Sequence, residues 1–449
     1  MPSSGGSGGT APPSIAVIGA GVAGCTTAAL LSRAGWPGSI VLWETGRGPG
    51  GRAATRRSRD DALLRLDHGA PLLNITTDPE VTRNVNSGAS RDVITDVVGS
   101  APLGGGASRP AQLGSSPWAC LIEELVAGGW LEPWQGARAR LDVHGNLHPI
   151  STDPLGEGLL YRGRGGMEQL CQGLLRLAGS SVNTRFGTLV RDLRPVPGVG
   201  WQLLDSDGRV LDQVDWLILS STLLAHARVQ LVLDWETVPL VEAARVLGDV
   251  RLDHALASIA ALRFEARSNL LLLVPAAHAQ PWLDLPFRLL DLDAAAQQRF
   301  HLRRIAVQPL PDGRCAVVVH SSATFAAEHV AVYGARSSIA RLLSSPSQAE
   351  REQEVMEKLS AALEDALGAW PIAPLPQEAD RQLMRWAAAF PIGAGLPETL
   401  LLCSASRIGF CGDYVSGPGF GRIEGAMTSA SRLVEQLLAT ALDRSVMVG

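Results

Sequence analysis

The sequence predicts an α/β protein of two interleaved domains, one built on a parallel sheet and the other of mixed α+β character. Three observations carry this expectation. An apolar strand runs into a glycine-rich turn and a helix near the N-terminus, a second glycine-rich turn opens a helix near the C-terminus, and helical and strand periodicities alternate between them. With 449 residues, 46% of them hydrophobic, the chain has enough apolar surface for two cores.

Residues 1–13 are rich in Gly, Ser and Pro and carry neither a basic segment nor an apolar run, so they read as a disordered lead-in rather than a signal peptide. The β-branched run Ile15–Ile18 reads as a buried strand, and Val22–Arg33 as a helix that stops before Gly35. A turn at Trp36-Pro37-Gly38 leads to a strand at 39–43, and this βαβ alternation implies a parallel sheet. From 79 to 117 the chain turns Gly/Ser-rich with weak periodicity, an excursion out of the first domain. Glycines at 163–166 precede a helical pattern that reaches Leu174, and 188–193, 201–204 and 216–219 read as strands separated by Pro/Gly and Asp-Gly turns. The stretch 223–377 mixes a helix at 348–367 with strand candidates at 254–264 and 314–320. The closing helix, 423–438, lays Ile423, Met427, Ala430, Val434 and Leu438 on one face.

Composition excludes several function classes. The net charge of −5 offers no excess of positive charge to nucleic acid or to an anionic membrane. Apolar runs such as 270–274 fall far short of the ~20 residues that insert across a bilayer. Six cysteines (Cys25, Cys120, Cys171, Cys315, Cys403 and Cys411) form no C-x-x-C pair, which fits reduced thiols in a cytoplasmic protein better than disulfides or a metal site. Lys358 is the one lysine among 39 basic residues.

The first chemical motif is Gly19-Ala20-Gly21-Val22-Ala23-Gly24, which follows a strand and opens a helix, as the G-x-G-x-x-G fingerprint of a Rossmann-type dinucleotide site requires. Gly19 permits the tight turn, Gly21 lets the backbone approach a pyrophosphate, and Gly24 lets helix and strand pack closely. The helix N-terminus, through Ala20, Val22 and Ala23, adds N–H donors and a positive dipole end. Glu44 closes the second strand twenty residues after Gly24, where a carboxylate accepts from ribose hydroxyls.

The continuation 44–52 (Glu-Thr-Gly-Arg-Gly-Pro-Gly-Gly-Arg) resembles the glutathione-reductase-2 type of FAD protein, in which Gly-Gly-Arg follows the acid at this spacing. The resemblance implies that Gly50 and Gly51 pass close to the diphosphate and that Arg52 neutralises it. Arg47, Arg52, Arg56 and Arg57 can equally be read as a solvated surface run, and for Arg56 and Arg57 that is the favoured reading. Asp67-His68-Gly69-Ala70-Pro71-Leu72 is similar to that family's flavin-approaching segment, and Phe410-Cys411-Gly412-Asp413 followed by 417–426 to its closing motif. By that likeness Asp413 accepts from a ribityl hydroxyl, and backbone N–H groups at Arg422 and Ile423 face the flavin edge where negative charge collects. Weaker likenesses lie at 164–167 and 215–221.

Within the glutathione-reductase-2 / flavin amine oxidase superfamily the chain looks most like the renalase-like branch, on Gly19 to Gly24, Gly50 to Arg52, Asp67 to Ala70, Arg385-Trp386 and Gly412 onward. This implies a Rossmann-type FAD-binding domain (14–78 plus 160–222 plus 380–449) interleaved with an α+β substrate domain (79–159 plus 223–379). It also implies hydride transfer from a small-molecule substrate to flavin N5, with O2 as electron acceptor. Cys403 and Cys411 precede the Gly-Asp element, outside the family's covalent pattern, so the FAD is expected to be non-covalent. Trp386 and Phe390 either wall a substrate cavity or pack in the core, and His68 is either structural or catalytic. Acid/base residues are not assigned.

Three functions stay open: a renalase-like oxidase of dihydronicotinamide isomers, a flavin amine oxidase or FAD-dependent desaturase, and a flavin-binding protein without turnover. The family's amine oxidases hold a water at N5 with a lysine, and Lys358 sits in a charged helical stretch that reads as solvated. Arginines around a polar cavity mark the first reading, an apolar docking patch marks a desaturase, and a cavity filled by side chains marks a non-enzyme.

Overall fold

The computed structural model describes residues 12–58, 60–76, 117–150, 158–198, 200–332, 348–370 and 379–447. Most of the expected lead-in and the 79–116 excursion lie outside these residues.

In chain order the elements that build the site begin with β1 (Ile15–Ile18), α1 (Val22–Arg33), β2 (Ile40–Glu44), α2 (Pro117–Ala127), α3 (Glu168–Ala178), β3 (Val182–Phe186) and β4 (Trp216–Leu219). There follow α4 (Val250–Ala260), β5 (Arg263–Val274), β6 (Leu289–Leu292), β7 (Leu302–Pro309), β8 (Cys315–Ser321) and α5 (Ala349–Ala366). The chain closes with β9 (Asp380–Ile392), β10 (Leu402–Cys403), β11 (Ile408–Phe410) and α6 (Ile423–Met447).

The first sheet has the order β3-β2-β1-β4-β11-β10, parallel except for the β10–β11 pair. Ile15 registers with Ile40 on one side and Trp216 on the other. Ile15, Ala16 and Val17 are fully buried, which is why β1 is a continuous apolar run rather than an alternating one. Every residue of α1 from Val22 to Leu31 is buried, because the helix is covered by the sheet, α3 and α6 together.

The second sheet has seven strands, β9-β5-β8-β7-β6 followed by Arg138–Leu141 and Leu147–His148. Its two faces differ, as the two-residue side-chain period of strands demands. Leu270, Leu272, Ile305, Val317 and Val319 pack with Val355, Leu359 and Leu363 of α5. Leu271, Leu289, Ala306 and Val318 face the other way, against Leu64, Leu66 and Leu72. Farther along that second face the residues turn polar.

Several expectations are corrected. The strand expected at 254–264 is the helix α4, capped by the Asp249 carboxylate, which accepts from the N–H groups of Arg251 and Leu252; β5 starts at Arg263. Leu252, Leu256 and Ile259 recur at helical spacing and are buried, so the period, not the apolar content, was decisive. The strand expected at 188–193 starts at Asp192, because Thr188 is still bonded to the Glu44 carbonyl beyond β3. The domain bounds shift as well. The start of the 223–379 stretch packs on the first core through Leu224, Leu240 and Leu252, and so does α2 through Leu121, Ile122 and Leu125. Conversely, β9 pairs along β5 from Asp380↔Leu273 to Ile392↔Arg263, so the chain rejoins the first domain after Ile392 rather than at 380. Amphipathic helices carry no label for the core they cover, and neither does an edge strand for its sheet.

Candidate active site

A cavity of about 1330 Å³ runs from the glycine turn after β1 to the polar part of the second sheet. That exceeds the ~300–1,000 Å³ typical of a pocket for one drug-sized ligand.

At one end the turn is held by Gly19 N–H donating to the Trp43 carbonyl at 2.7 Å and by the Ser220 hydroxyl donating to the Gly19 carbonyl at 2.8 Å. Gly19 sits at φ +104°, a conformation that disfavours any side chain. Gly19, Gly21, Val22 and Ala23 line the cavity. Ala20 and Gly24 stand behind the wall. Ala20 donates its N–H to Glu44 Oε2 at 2.9 Å and accepts from Gly50 N–H at 2.9 Å, which ties the three parts of the motif together. A Cβ on Gly24 would lie 1.9 Å from the Gly19 carbonyl oxygen, so this glycine is a packing requirement. A Cβ on Gly21 would meet nothing nearer than Gly51 Cα at 4.0 Å. Gly21 thus presents bare backbone to the cavity at the N-terminus of α1, whose first donors have no helical acceptor.

Glu44 and the Gly50-Gly51-Arg52 turn form the opposite bank. The Glu44 carboxylate accepts from Ala20 N–H and, at 2.5 Å, from Gly46 N–H, leaving lone pairs for a ribose. Gly50, Gly51 and Arg52 all line the cavity. The Arg52 guanidinium, however, forms a two-bond ion pair with the carboxylate of Asp413, Nη1 to Oδ2 at 2.6 Å, and donates to the Ala389 carbonyl at 3.0 Å. The two groups that the motifs set apart, Arg52 for a diphosphate and Asp413 for a ribityl hydroxyl, are thus paired with each other, and the Asp413 carboxylate, like that of Glu44, keeps further lone pairs. Arg57 keeps a solvated position, its side chain 44% exposed, while pairing with Glu168, whose side chain is nearly buried.

His68, Gly69, Ala70, Pro71 and Leu72 line the middle of the cavity. The His68 ring is buried and stacks on Trp386, with centroids 5.3 Å apart and planes 11° from parallel. Its carbonyl accepts from Asn269 Nδ2 at 2.6 Å and from Trp386 Nε1 at 3.2 Å. Burial first, then the nearby Arg56 charge, lowers the His68 pKa to about 4, so the ring is neutral at pH 7. Trp386 and Phe390 both line the cavity, and Phe390 is 40% exposed.

The closing motif completes the wall. Gly412, Asp413, Arg422 and Ile423 line the cavity, where α6 begins. The Asp413 carbonyl accepts from Gly421 N–H at 2.8 Å. Arg422 N–H donates to the Gly419 carbonyl at 2.8 Å, and α6 starts at the next residue, Ile423.

The motifs did not reveal the cations of the cavity. Arg228 lies over the Phe264 ring at 4.8 Å and donates to the Thr222 hydroxyl at 3.2 Å. Burial, and after it repulsion from Arg52, lowers its pKa to about 10. Arg267, Arg303, Arg304 and His320 line the far end, on the second sheet. A hint stood in the sequence, where polar residues interrupt strands that are otherwise apolar. Lys358 is elsewhere, on α5, in an i,i+4 ion pair with Glu354 at 2.7 Å.

Fold and cavity together define a Rossmann-type parallel sheet joined to a second, mixed sheet across one large cavity. A family model described as an NAD(P)-binding Rossmann-like domain matches residues 17–87. Among solved structures, the chain is similar to an Exiguobacterium sp. 255-15 protein provisionally assigned as a protoporphyrinogen oxidase, with TM-score 0.56 and 12% identity over 96% of this chain and 99% of that one. It is similar to a putrescine oxidase bound to putrescine, with TM-score 0.54 and 12% identity over 95% and 99%. An oxidoreductase from Methanosarcina mazei aligns with TM-score 0.50 and 14% identity over 94% and 100%. At these identities the likeness is one of fold. No curated protein matches the sequence. Among the described residues no helix is long and apolar enough to cross a membrane.

Proposed function

We propose that the chain is an FAD-dependent oxidoreductase of the renalase-like kind, which binds FAD non-covalently and oxidises a dihydronicotinamide isomer with O2 as electron acceptor in the cytoplasm. The observation that carries this reading is one open cavity joining a dinucleotide cradle to a cation-lined far end. A cavity of this size also speaks against a flavin-binding protein without turnover.

The residues fit the cofactor by the bare backbone at Gly21 and Gly51, the Glu44 carboxylate and the N-termini of α1 and α6. FAD, when bound, supplies the ring that accepts a hydride and passes electrons to O2. The chain's own part is alignment and exclusion of water. The stacked His68–Trp386 pair forms a rigid wall, fixed by two hydrogen bonds to the His68 carbonyl, against which a flat substrate can lie. The Arg52–Asp413 pair locks the Gly-Gly-Arg turn to the Gly-Asp turn, so the two cofactor loops are set in one geometry. No lysine lines the cavity, which disfavours the amine oxidase reading.

The test is anaerobic mixing of the purified yellow protein with isomeric dihydronicotinamides and, separately, with primary amines, followed by acid precipitation. The expected result is rapid bleaching by the dihydronicotinamides, peroxide on re-aeration, and FAD in the supernatant. Rapid bleaching by amines alone would overturn the substrate. Flavin left in the pellet would overturn non-covalent binding, and FMN in the supernatant would overturn the assignment of FAD.

A further inference from the structure

The far wall of the cavity is a row of polar residues across the second sheet. Asn269 of β5 registers with His320 of β8, and His320 with Arg304 of β7, so these side chains share one face. Arg267 stands two residues before Asn269 on β5, and Arg303 adjoins Arg304. Arg267, Arg303, Arg304 and His320 all line the cavity. Arg267 is only 5% exposed, Arg304 8% and His320 9%. The two guanidiniums at low exposure, those of Arg267 and Arg304, face two carboxylates there. Glu265 pairs with Arg267, and Asp291 accepts from Arg304 Nε at 2.8 Å while lying 4.0 Å from a further arginine, Arg138. Burial of cations is tolerable only where opposite charge and hydrogen bonds compensate it. Two buried nitrogens of this wall, Arg267 Nε and His320 Nε2, have no hydrogen-bond partner among the described residues. The positive field is felt by His320, whose pKa falls to about 3, through burial first and then repulsion from Arg304 and Arg267.

We propose that Arg267, Arg303 and Arg304, with His320, form a subsite for an anionic group on the substrate, a carboxylate or a phosphate, and that this wall repels small cationic amines. The inference rests on the reading of this cavity as the substrate site of an oxidoreductase. It adds a specificity determinant on the strands of the second sheet, apart from the cofactor motifs. Guanidinium forks suit both oxyanions, and the Phe390 ring, 5.3 Å from the Arg267 Cζ, offers an apolar surface beside the charge.

The experiment is calorimetric titration of the FAD-bound protein with four ring-sized probes: benzoate, phenyl phosphate, neutral benzamide and cationic benzylamine. At least one anion is expected to bind tenfold or more tightly than benzamide, and benzylamine to bind more weakly than benzamide. Tighter binding of benzoate assigns a carboxylate subsite, and tighter binding of phenyl phosphate a phosphate subsite. Arg267→Gln and Arg303→Gln should each weaken the preferred anion tenfold while benzamide affinity and flavin content stay as controls of folding. Benzamide or benzylamine binding as tightly as both anions, or anion affinity unchanged in both variants, would overturn the subsite. Anion binding that depends on Arg267 in a protein whose flavin no dihydronicotinamide bleaches would keep the subsite and remove the proposed reaction.

Discussion

Arg52 and Asp413 are separated by 361 residues and share one two-bond ion pair at the joint of the two cofactor loops. Asp413 is nearly buried, with its side chain 8% exposed, whereas the Arg52 side chain is 41% exposed and solvent screens part of the interaction. Truncating Arg52 removes both bonds and leaves a carboxylate inside the wall. Arg52→Ala is therefore expected to cost about 1–2 kcal/mol of folding stability, below the full penalty for a broken buried pair, and to lower flavin occupancy. Arg52→Ala/Asp413→Asn should recover part of the stability, because the uncompensated charge is gone. Urea unfolding and the ratio of flavin to protein absorbance check both, and an unchanged midpoint in the single variant would return Arg52 to the solvent. Both residues were legible in the sequence as motif members. Their bond to each other was not, because nothing in either motif states how far its partner lies in space.

At the scale of an element, the N-terminus of α1 separates two glycines that the fingerprint treats alike. Gly24→Ala would drive a methyl group into the Gly19 carbonyl oxygen, 1.9 Å from the ideal Cβ position, and should destabilise the fold by about 3 kcal/mol or more by forcing helix and strand apart. Gly21 has an ordinary φ of −74° and no atom within contact of an added Cβ except Gly51 Cα at 4.0 Å. Gly21→Ala should thus change stability by no more than about 1 kcal/mol, the scale of a substituted N-cap, yet lose flavin, because the methyl group occupies cavity space. Thermal unfolding of the flavin-free proteins compared with flavin retention distinguishes the two. Equal loss of stability at both sites would contradict the division between packing glycine and cradle glycine. The helix α4 shows the converse problem, for its apolar residues were visible and its period was misread as a strand.

For the whole molecule, buried titratable groups set a direction for acid stability. His68 and His320 have folded pKa values lowered to about 4 and about 3, below the usual 6.5 of the unfolded chain, by burial and by arginine neighbours. The unfolded state therefore takes up protons first, and stability falls as pH drops below about 6.5. Asp67 acts oppositely. Burial raises its pKa to about 6 in spite of hydrogen bonds from Thr55 and Met167, so its proton stabilises the fold as pH falls from 6 toward 4. Two histidines outweigh one aspartate, and a net loss on the order of 3 kcal/mol is expected between pH 7 and pH 4.5. His320→Asn should flatten that slope, and Asp67→Asn should steepen it. Denaturant unfolding across this pH range checks the sign, and a slope unaffected by either change would refute it.

The sequence by itself determined the parallel dinucleotide-binding unit, because glycine spacing, strand, helix and terminal acid all act within about thirty residues, where backbone geometry is local. The same local logic placed the Gly-Asp turn before α6, and tertiary packing then brings all but Ala20 and Gly24 of the expected site residues to one cavity. The tertiary structure alone decided what faces that cavity from the other side. Arg267, His320 and Arg304 sit on strands β5, β8 and β7, and only their pairing register puts the three on a common face. Shifting any one strand by a single residue would turn its polar side chains toward α5, so this wall depends on long-range registration that no short window of sequence contains.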